Sequence, residues 1–533
     1  MSENSPPKSF NLVTEPWIPI AGVGLVSLND IFTNEFARLG GTPIEKVVIL
    51  RLLLCIVHAS MRTRLRDLGD WHELNDGRKE MASTVLKYLE QSSALFDLYD
   101  EKSPFLQFPQ LKGQFHESKS NDPNALSLSV SSGNKSVLTQ WNVGTKPSSA
   151  ELARLILCGS CYGMGGGKYD PDAKVDPNTK KRKKESGKAS APQGTLTGKK
   201  GYLHSFMLGN TLWETIMLNI LTDEERQDIR GKQTEMDLGK PFWESMPEDE
   251  DGETAKKYRS TYLGTLFPID KFFYLEGEEL HMTQGIKYPS HRGPDPKKPG
   301  DPTIPPGPHW DPGITIYQVK DNFNAVWCTQ ECAPWRQLKS LLQFLDLDMP
   351  NTTNPAFVIK GIEKLQGNPK ITAFGLWVGG IEVSDNSGEQ YISGQNDYLS
   401  SEFLIPLEQG GKRWFAKFKD YLKKIEDYSE GLKDAVNAYF ACFQDKTGKQ
   451  GPAATRLFWE KMAPYAQSII SLSEEKDPEK IKKAKQDWRQ IALSCYDEFC
   501  PHETPRQMRA YTQNIPDFRP RKNNNDKKKG GKK

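Results

Sequence analysis

The stretch VVILRLLLCIV, residues 47–57, sets the strongest limit on the fold. A helix of this sequence is apolar on every side and has to be enclosed. It contains Arg51 and is far shorter than the ~20 residues of a membrane span, so it reads as a buried core helix. The chain has 533 residues, long enough for two to four domains, and its 36% hydrophobic content is enough for real cores. MSENSPPKSF at the start lacks an apolar signal core. Eight cysteines scattered along the chain fit a reducing cytosol, and a cytoplasmic protein with no membrane contact is expected. A net charge of only +2 rules out a uniformly basic protein; any nucleic-acid surface must come from local clusters such as 180–184 and 519–533.

Two short strands, FNLVTEPWIPI and GLVSLNDIF, lead into a helix. Residues 43–62, 79–97, 148–163 and 209–221 carry helical periodicity. The helix at 148–163 has a Ser cap and a Glu in its first turn. FFYLEG (272–277) and GITIYQV (313–319) read as strands, and KITAFGLWVGGIEV (370–383) as strand–turn–strand. Between the two former strands, 289–313 is a Pro-rich loop. From about 401 the pattern turns helical, at 411–445, 452–473, 477–500 and 503–513, with short connections. The expected architecture is α+β: a mixed α/β domain over 1–400, a four-helix bundle over 401–515, and a disordered basic tail over 516–533.

CYGMGGGKYD (161–170) holds four glycines and a lysine. A P-loop would need glycine at 162 and Ser or Thr at 169, where Tyr162 and Tyr169 stand. A dinucleotide fingerprint needs a strand before the glycines, and here a helix precedes them. Two readings remain. The glycines can cap the helix, or their bare backbone can approach another surface closely, such as the acceptor-lined DNA minor groove. Cys158 and Cys161, with Cys328 and Cys332, could make a zinc site, but the first pair sits on an amphipathic helix and reads as packing. No H-E-x-x-H, His-Asp pair or G-x-S-x-G is present. No catalytic residue, metal or cofactor is expected. Lys168, Lys180, Lys181, Arg182, Lys183, Lys184, Lys297 and Lys298 lie in flexible segments and read either as non-specific phosphate contacts or as solvated charge.

The N-L-x-x-x-P-W-I-P pattern (Asn11, Leu12, Pro16, Trp17, Ile18, Pro19) resembles the opening of the CasA family, the large subunit of type I-E CRISPR Cascade. GLVSLNDIF, the glycine cluster, GNTLWETIMLNIL, CTQECAPWRQLKSLL and ITAFGL then follow in family order over roughly 10–515. The resemblance implies an α/β domain followed by a four-helix bundle, and a subunit that is not itself a nuclease. Such a subunit inspects duplex DNA for the protospacer-adjacent motif (PAM) through the minor groove, helps open the duplex, and helps recruit a helicase–nuclease. Its partners are the DNA target, the crRNA-containing backbone and small subunits, and that helicase–nuclease. The family's glycine loop matches Gly163, Met164, Gly165, Gly166 and Gly167. Its glutamine wedge matches Gln390, with Tyr391 behind it and Gln395 as the alternative. Its lysine finger matches Lys287, with Lys297 and Lys298 as alternatives. A loop meeting the crRNA and the backbone subunit falls at Leu138, Thr139 and Gln140. The competing reading of the chain is a protein-interaction scaffold without DNA contact.

Overall fold

The computed structural model describes residues 9–115, 123, 146–164, 170, 173–175, 194–230, 237–288, 311–319, 322–345, 355–366, 368, 370–386, 389–391, 397–407, 412–445 and 447–518. The chain divides into two units, residues 1–344 with 348–403, and 345–347 with 404–533. The first unit opens with β1 (Ile18–Ile20) and β2 (Gly24–Val26). Four helices follow: α1 (Leu28–Thr33), α2 (Pro43–Ser60), α3 (Leu68–Asp76) and α4 (Arg78–Ser92). Next come α5 (Ser149–Tyr162), β3 (His204–Leu208), α6 (Leu212–Asn219), α7 (Asp223–Arg230), α8 (Glu253–Ser260) and α9 (Tyr262–Leu266). The unit continues through β4 (Lys271–Glu276), β5 (Glu279–Gln284), β6 (Ile316–Val319), β7 (Asn322–Ala325), α10 (Pro334–Leu341) and α11 (Ala356–Leu365). It ends with β8 (Ala373–Ile381), β9 (Ser384–Asn386), β10 (Glu389–Tyr391) and most of β11 (Tyr398–Pro406).

The opening motif is a piece of core. Trp17 is fully buried and its indole N–H donates to the Leu12 carbonyl at 2.9 Å. The Asn11 side chain accepts from Val13 N at 2.9 Å and donates to the Ser93 carbonyl at 2.9 Å, tying the N-terminus to the end of α4. The Trp17 carbonyl accepts from Arg154 on α5, and Arg154 also pairs with Glu45 at 2.8 Å. Glu45 in turn belongs to the capping box that starts α2. These residue types are needed because one segment has to fasten α2, α4 and α5 together.

Helix α2 is buried along nearly its whole length, as its all-round apolar sequence requires. Arg51 sits inside this core and donates through both guanidinium ends to Asp311, at 2.7 and 2.6 Å, and to the Leu266 carbonyl at 3.1 Å. Burial works against the charge, but Asp311 outweighs it and holds the Arg51 pKa above its ordinary value. Asp311 also accepts from Gly313 N at 2.8 Å, and the Gly313 carbonyl accepts from Ser205 on β3. One buried pair therefore fixes the chain after the Pro-rich stretch to both α2 and the sheet.

The main sheet has the order β11-β8-β3, and β3 and β8 are antiparallel from His204 opposite Gly379 to Leu208 opposite Gly375. The strand–turn–strand expected over 370–383 is instead the single strand β8. Gly379 and Gly380 do not turn the chain. A Cβ on Gly379 would stand 2.7 Å from the Leu399 carbonyl oxygen, and one on Gly380 would stand 2.5 Å from that of Tyr202. The pair lets neighbouring backbone approach on both sides. The remaining strands form two-stranded hairpins, β1–β2, β4–β5, β6–β7 and β9–β10.

The second unit is helical: α12 (Lys412–Ala441), α13 (Gln450–Met462), α14 (Ala466–Leu472), α15 (Pro478–Phe499) and α16 (Pro505–Gln513). The helix expected at 452–473 is broken at Pro464, which lacks a donor, and a short 3-10 turn joins α13 to α14. Residues 401–406 belong to β11 and not to the helical region, because Phe403 and Ile405 are buried while Glu402 and Leu404 are exposed. The packed chain also runs past 515: the Phe518 ring meets Tyr428 edge-on at 5.1 Å. Among the described residues no helix is long and apolar enough to cross a membrane.

Arg51→Met removes the cation that the buried Asp311 carboxylate faces, and should cost about 3–5 kcal/mol of unfolding free energy. Adding Asp311→Leu should recover most of that loss. Urea denaturation of the three proteins measures both effects.

Candidate nucleic-acid interface

Helix α5 begins at a capping box in which Glu151 N donates to Ser148 Oγ and Ser148 N donates to the Glu151 carboxylate. Side chains of β4 pack directly on the backbone at its C-terminal end. A Cβ on Gly159 would stand 2.5 Å from Phe273 Cζ, and one on Gly163 would stand 2.3 Å from Lys271 Cγ, far inside any real contact. Asp270 N donates to the Ser160 carbonyl at 3.0 Å. The turn at 194–200 packs on the same end of the helix. A Cβ on Gly194 would stand 2.5 Å from the Gly163 carbonyl oxygen, Leu196 N donates to the Cys161 carbonyl at 3.2 Å, and Thr197 Oγ1 donates to that of Tyr162 at 2.8 Å.

Asp270 and Lys271 are both buried in this junction, with Lys271 Nζ 3.6 Å from Asp270 Oδ1. The other carboxylate oxygen of Asp270 accepts from Thr195 N. Burial pushes the Asp270 carboxyl up to about 6, against the Lys271 charge and the Thr195 hydrogen bonds, which pull it down.

The chain leaves α5 at Gly163 and Met164 and returns to β5 at Asp170, whose N–H donates to the Met282 carbonyl at 2.9 Å. Thr283 Oγ1 lies 2.8 Å from the Asp170 carbonyl oxygen and 2.7 Å from that of Ala173. Lys287 follows the same strand. Gly285 N and Ile286 N donate to the carbonyls of Asp270 and Ile269, at 2.9 and 3.0 Å. Arg259 on α8 donates to the Lys287 carbonyl at 3.3 Å and to Asp251 at 2.9 Å. The Lys287 side chain is exposed. Both legs of the glycine segment and the root of Lys287 thus rest on one hairpin, β4–β5.

Gln390 lies on β10, opposite Asp385 in the β9–β10 hairpin, which starts three residues after β8. The root of this hairpin is tied to the 194–202 segment, since Val383 N donates to the Lys200 carbonyl at 3.0 Å. The segment that encloses Gly163 therefore also holds the base of the hairpin carrying Gln390 and Tyr391. Gly165, Gly166, Gly167, Lys168, Lys180, Lys181, Arg182, Lys183, Lys184, Lys297, Lys298, Gln395, Leu138, Thr139 and Gln140 lie outside the described residues.

Burial pushes the Cys158 and Cys161 thiols well up, and Cys328 likewise. Among the described residues no group of three or more His, Cys, Asp or Glu side chains is arranged to hold a metal ion. Sequence reasoning missed Asp270, Lys271 and Arg259. Lys271 stands one residue before the strand read at 272–277. Period-two alternation was the available signal, because it puts Lys271 on the same face as Phe273, the face that meets α5.

The family model of the CRISPR-associated protein Cse1 matches residues 11–495. CasA/Cse1 of Thermus thermophilus is 29% identical over 174 residues, which is 30% of this chain and 32% of that relative's length. The crystal structure of Thermobifida fusca Cse1 superimposes with a TM-score of 0.70 at 17% identity, covering 92% of each chain. The crystal structure of Thermus thermophilus CasA superimposes with a TM-score of 0.68 at 17% identity, covering 95% of this chain and 97% of that one. A chain of a CRISPR RNA-guided surveillance complex superimposes with a TM-score of 0.67 at 17% identity, covering 96% and 99%. The fold is shared along nearly the whole length, and the family match includes the opening motif, the glycine segment and the hairpin that carries Gln390: the chain belongs to the Cse1 (CasA) family of type I-E Cascade large subunits.

Proposed function

We propose that this chain is the non-catalytic, DNA-inspecting subunit of a type I-E Cascade. It reads a short PAM from the minor groove, promotes duplex opening, and helps recruit a helicase–nuclease. The reading rests above all on the common footing of Gly163, Asp170 and Lys287 on the β4–β5 hairpin. A bare backbone that can enter a narrow groove and an exposed ammonium that can donate to groove acceptors would start from one rigid base. The similarity to a chain of an RNA-guided surveillance complex supports the assembly, with the crRNA-bearing backbone and small subunits as neighbours. In that assembly Leu138, Thr139 and Gln140 would meet the crRNA and the adjacent backbone subunit.

The minor groove offers a degenerate set of acceptors, so a short and permissive motif is the expected specificity. The rest of the target would be read by guide pairing. Gln390, with Tyr391 behind it, would act as the wedge, exchanging a few kcal/mol of base stacking for new contacts at the opened step. Lys168, Lys180, Lys181, Arg182, Lys183, Lys184, Lys297 and Lys298 would add phosphate contacts that carry no sequence information.

Lys287→Ala in the assembled complex should weaken binding to a PAM-bearing duplex by roughly 1–3 kcal/mol and flatten the preference over a PAM-less duplex. Unchanged preference in a filter-binding titration would remove Lys287 from the reader. Gln390→Ala should leave initial binding within about threefold but slow opening by tenfold or more. Permanganate reactivity of the bubble against time reports this, and equal opening rates would assign the wedge elsewhere. Neutralising Lys180, Lys181, Arg182, Lys183 and Lys184 should lower the salt slope of non-specific binding by about 0.9 for every phosphate those side chains engage. An unaltered slope would make them solubilising charge.

A further inference from the structure

Lys271 is an unusual residue for its position. It is completely buried, yet it heads a strand whose neighbours are Phe272 and Phe273. Its stem runs along the Cα of Gly163: a Cβ built there would stand 2.3, 2.6 and 3.0 Å from Lys271 Cγ, Cε and Cδ. The lysine stem fills the space a side chain at 163 would need. Its ammonium lies beside Asp270, which holds Thr195 N at the start of the turn packed on Gly163. The carbonyl of Asp270 also accepts from Gly285 N, at the root of Lys287. Residues 270 and 271 thus touch the exit of the glycine segment, the turn that covers it, and the strand leading to Lys287.

A buried ammonium is costly and is kept where it is paired and does something a hydrocarbon would not. Here it serves as spacer and clamp at once: the stem sets how far α5 stands from β4, and the head group is paired with the carboxylate that fastens the covering turn. We infer that Lys271 is a positioning residue, locked to Gly163, that sets where the glycine segment begins relative to Lys287 and thereby how sharply the motif is discriminated. The effect on discrimination rests on the reading proposed above; the lock between Lys271 and Gly163 does not.

The two residues are therefore coupled. Gly163→Ala has to displace the Lys271 stem, whose ammonium faces Asp270. Lys271→Ala makes room for the added methyl, whereas Lys271→Met keeps the stem and removes the charge. The test uses the assembled complex carrying Gly163→Ala alone, Lys271→Ala alone, both together, and Lys271→Met, each first shown to assemble with wild-type stoichiometry. One readout is amide hydrogen exchange in peptides covering 160–175, with no DNA present. The other is the ratio of affinities for duplexes with and without the motif.

Gly163→Ala should speed exchange at least tenfold in the wild-type background and less than threefold beside Lys271→Ala. It should also lower the affinity ratio at least fivefold, with partial recovery in the double variant. Lys271→Met should fall between wild type and Lys271→Ala in both readouts. Equal effects of Gly163→Ala in the two backgrounds would overturn the lock. Coupled exchange with an unchanged affinity ratio would overturn the positioning role. A wild-type complex that shows no motif preference would overturn the proposed function, and with it that role, while the exchange data still decide the lock.

Discussion

Two glycines, Gly159 and Gly163, let side chains of strand β4 pack directly on the backbone of helix α5, and the arrangement of the proposed interface depends on that contact. The contact is stiff because almost nothing in it can give. Phe273 fills the space beside Gly159, the Lys271 stem fills the space beside Gly163, and Gly194 closes on the Gly163 carbonyl. Backbone hydrogen bonds from Asp270, Leu196 and Gly285 then fix three segments to the same few residues. A segment that reads a narrow groove has to be held at its ends, since an approach set by loose legs would spread over several ångströms.

That junction is seated on a larger support. Arg51, on the all-round apolar helix α2, pairs with Asp311 and draws the segment at 311–313 against α2 and β3. The opening motif fastens α2, α4 and α5 from the other end through Trp17, Asn11 and Arg154. The residues most diagnostic of the family in the sequence are therefore structural, and the proposed DNA-facing residues hang from the frame they build.

The elements that one periodicity defines were legible in the sequence. Helix α2 follows from its all-round apolar run, α5 from Ser148 and Glu151, and α12 and α15 from their amphipathic stripes. What failed depended on a partner in space. Gly379 and Gly380 look like a turn until Leu399 and Tyr202 lie against them. The alternation of β11 at 401–406 was absorbed into the helical stretch that follows it, and α8 and α9 fall between the helix read at 209–221 and the strand read at 272–277, where no helix was expected. At the candidate interface, the order of glycine segment, lysine and glutamine could be read from the resemblance to a family. The shared footing of the first two could not, because it depends on Lys271 being buried, and a lysine gives no such sign in one dimension.

The most direct measurement is the structure of the assembled complex on a duplex that carries the motif. The account predicts that the segment between the anchors Gly163 and Asp170, together with Lys287, occupies one minor groove at the motif, with the β9–β10 hairpin at the junction where the strands part. A duplex seated on another face, with the β4–β5 hairpin turned to a protein neighbour or to solvent, would contradict it.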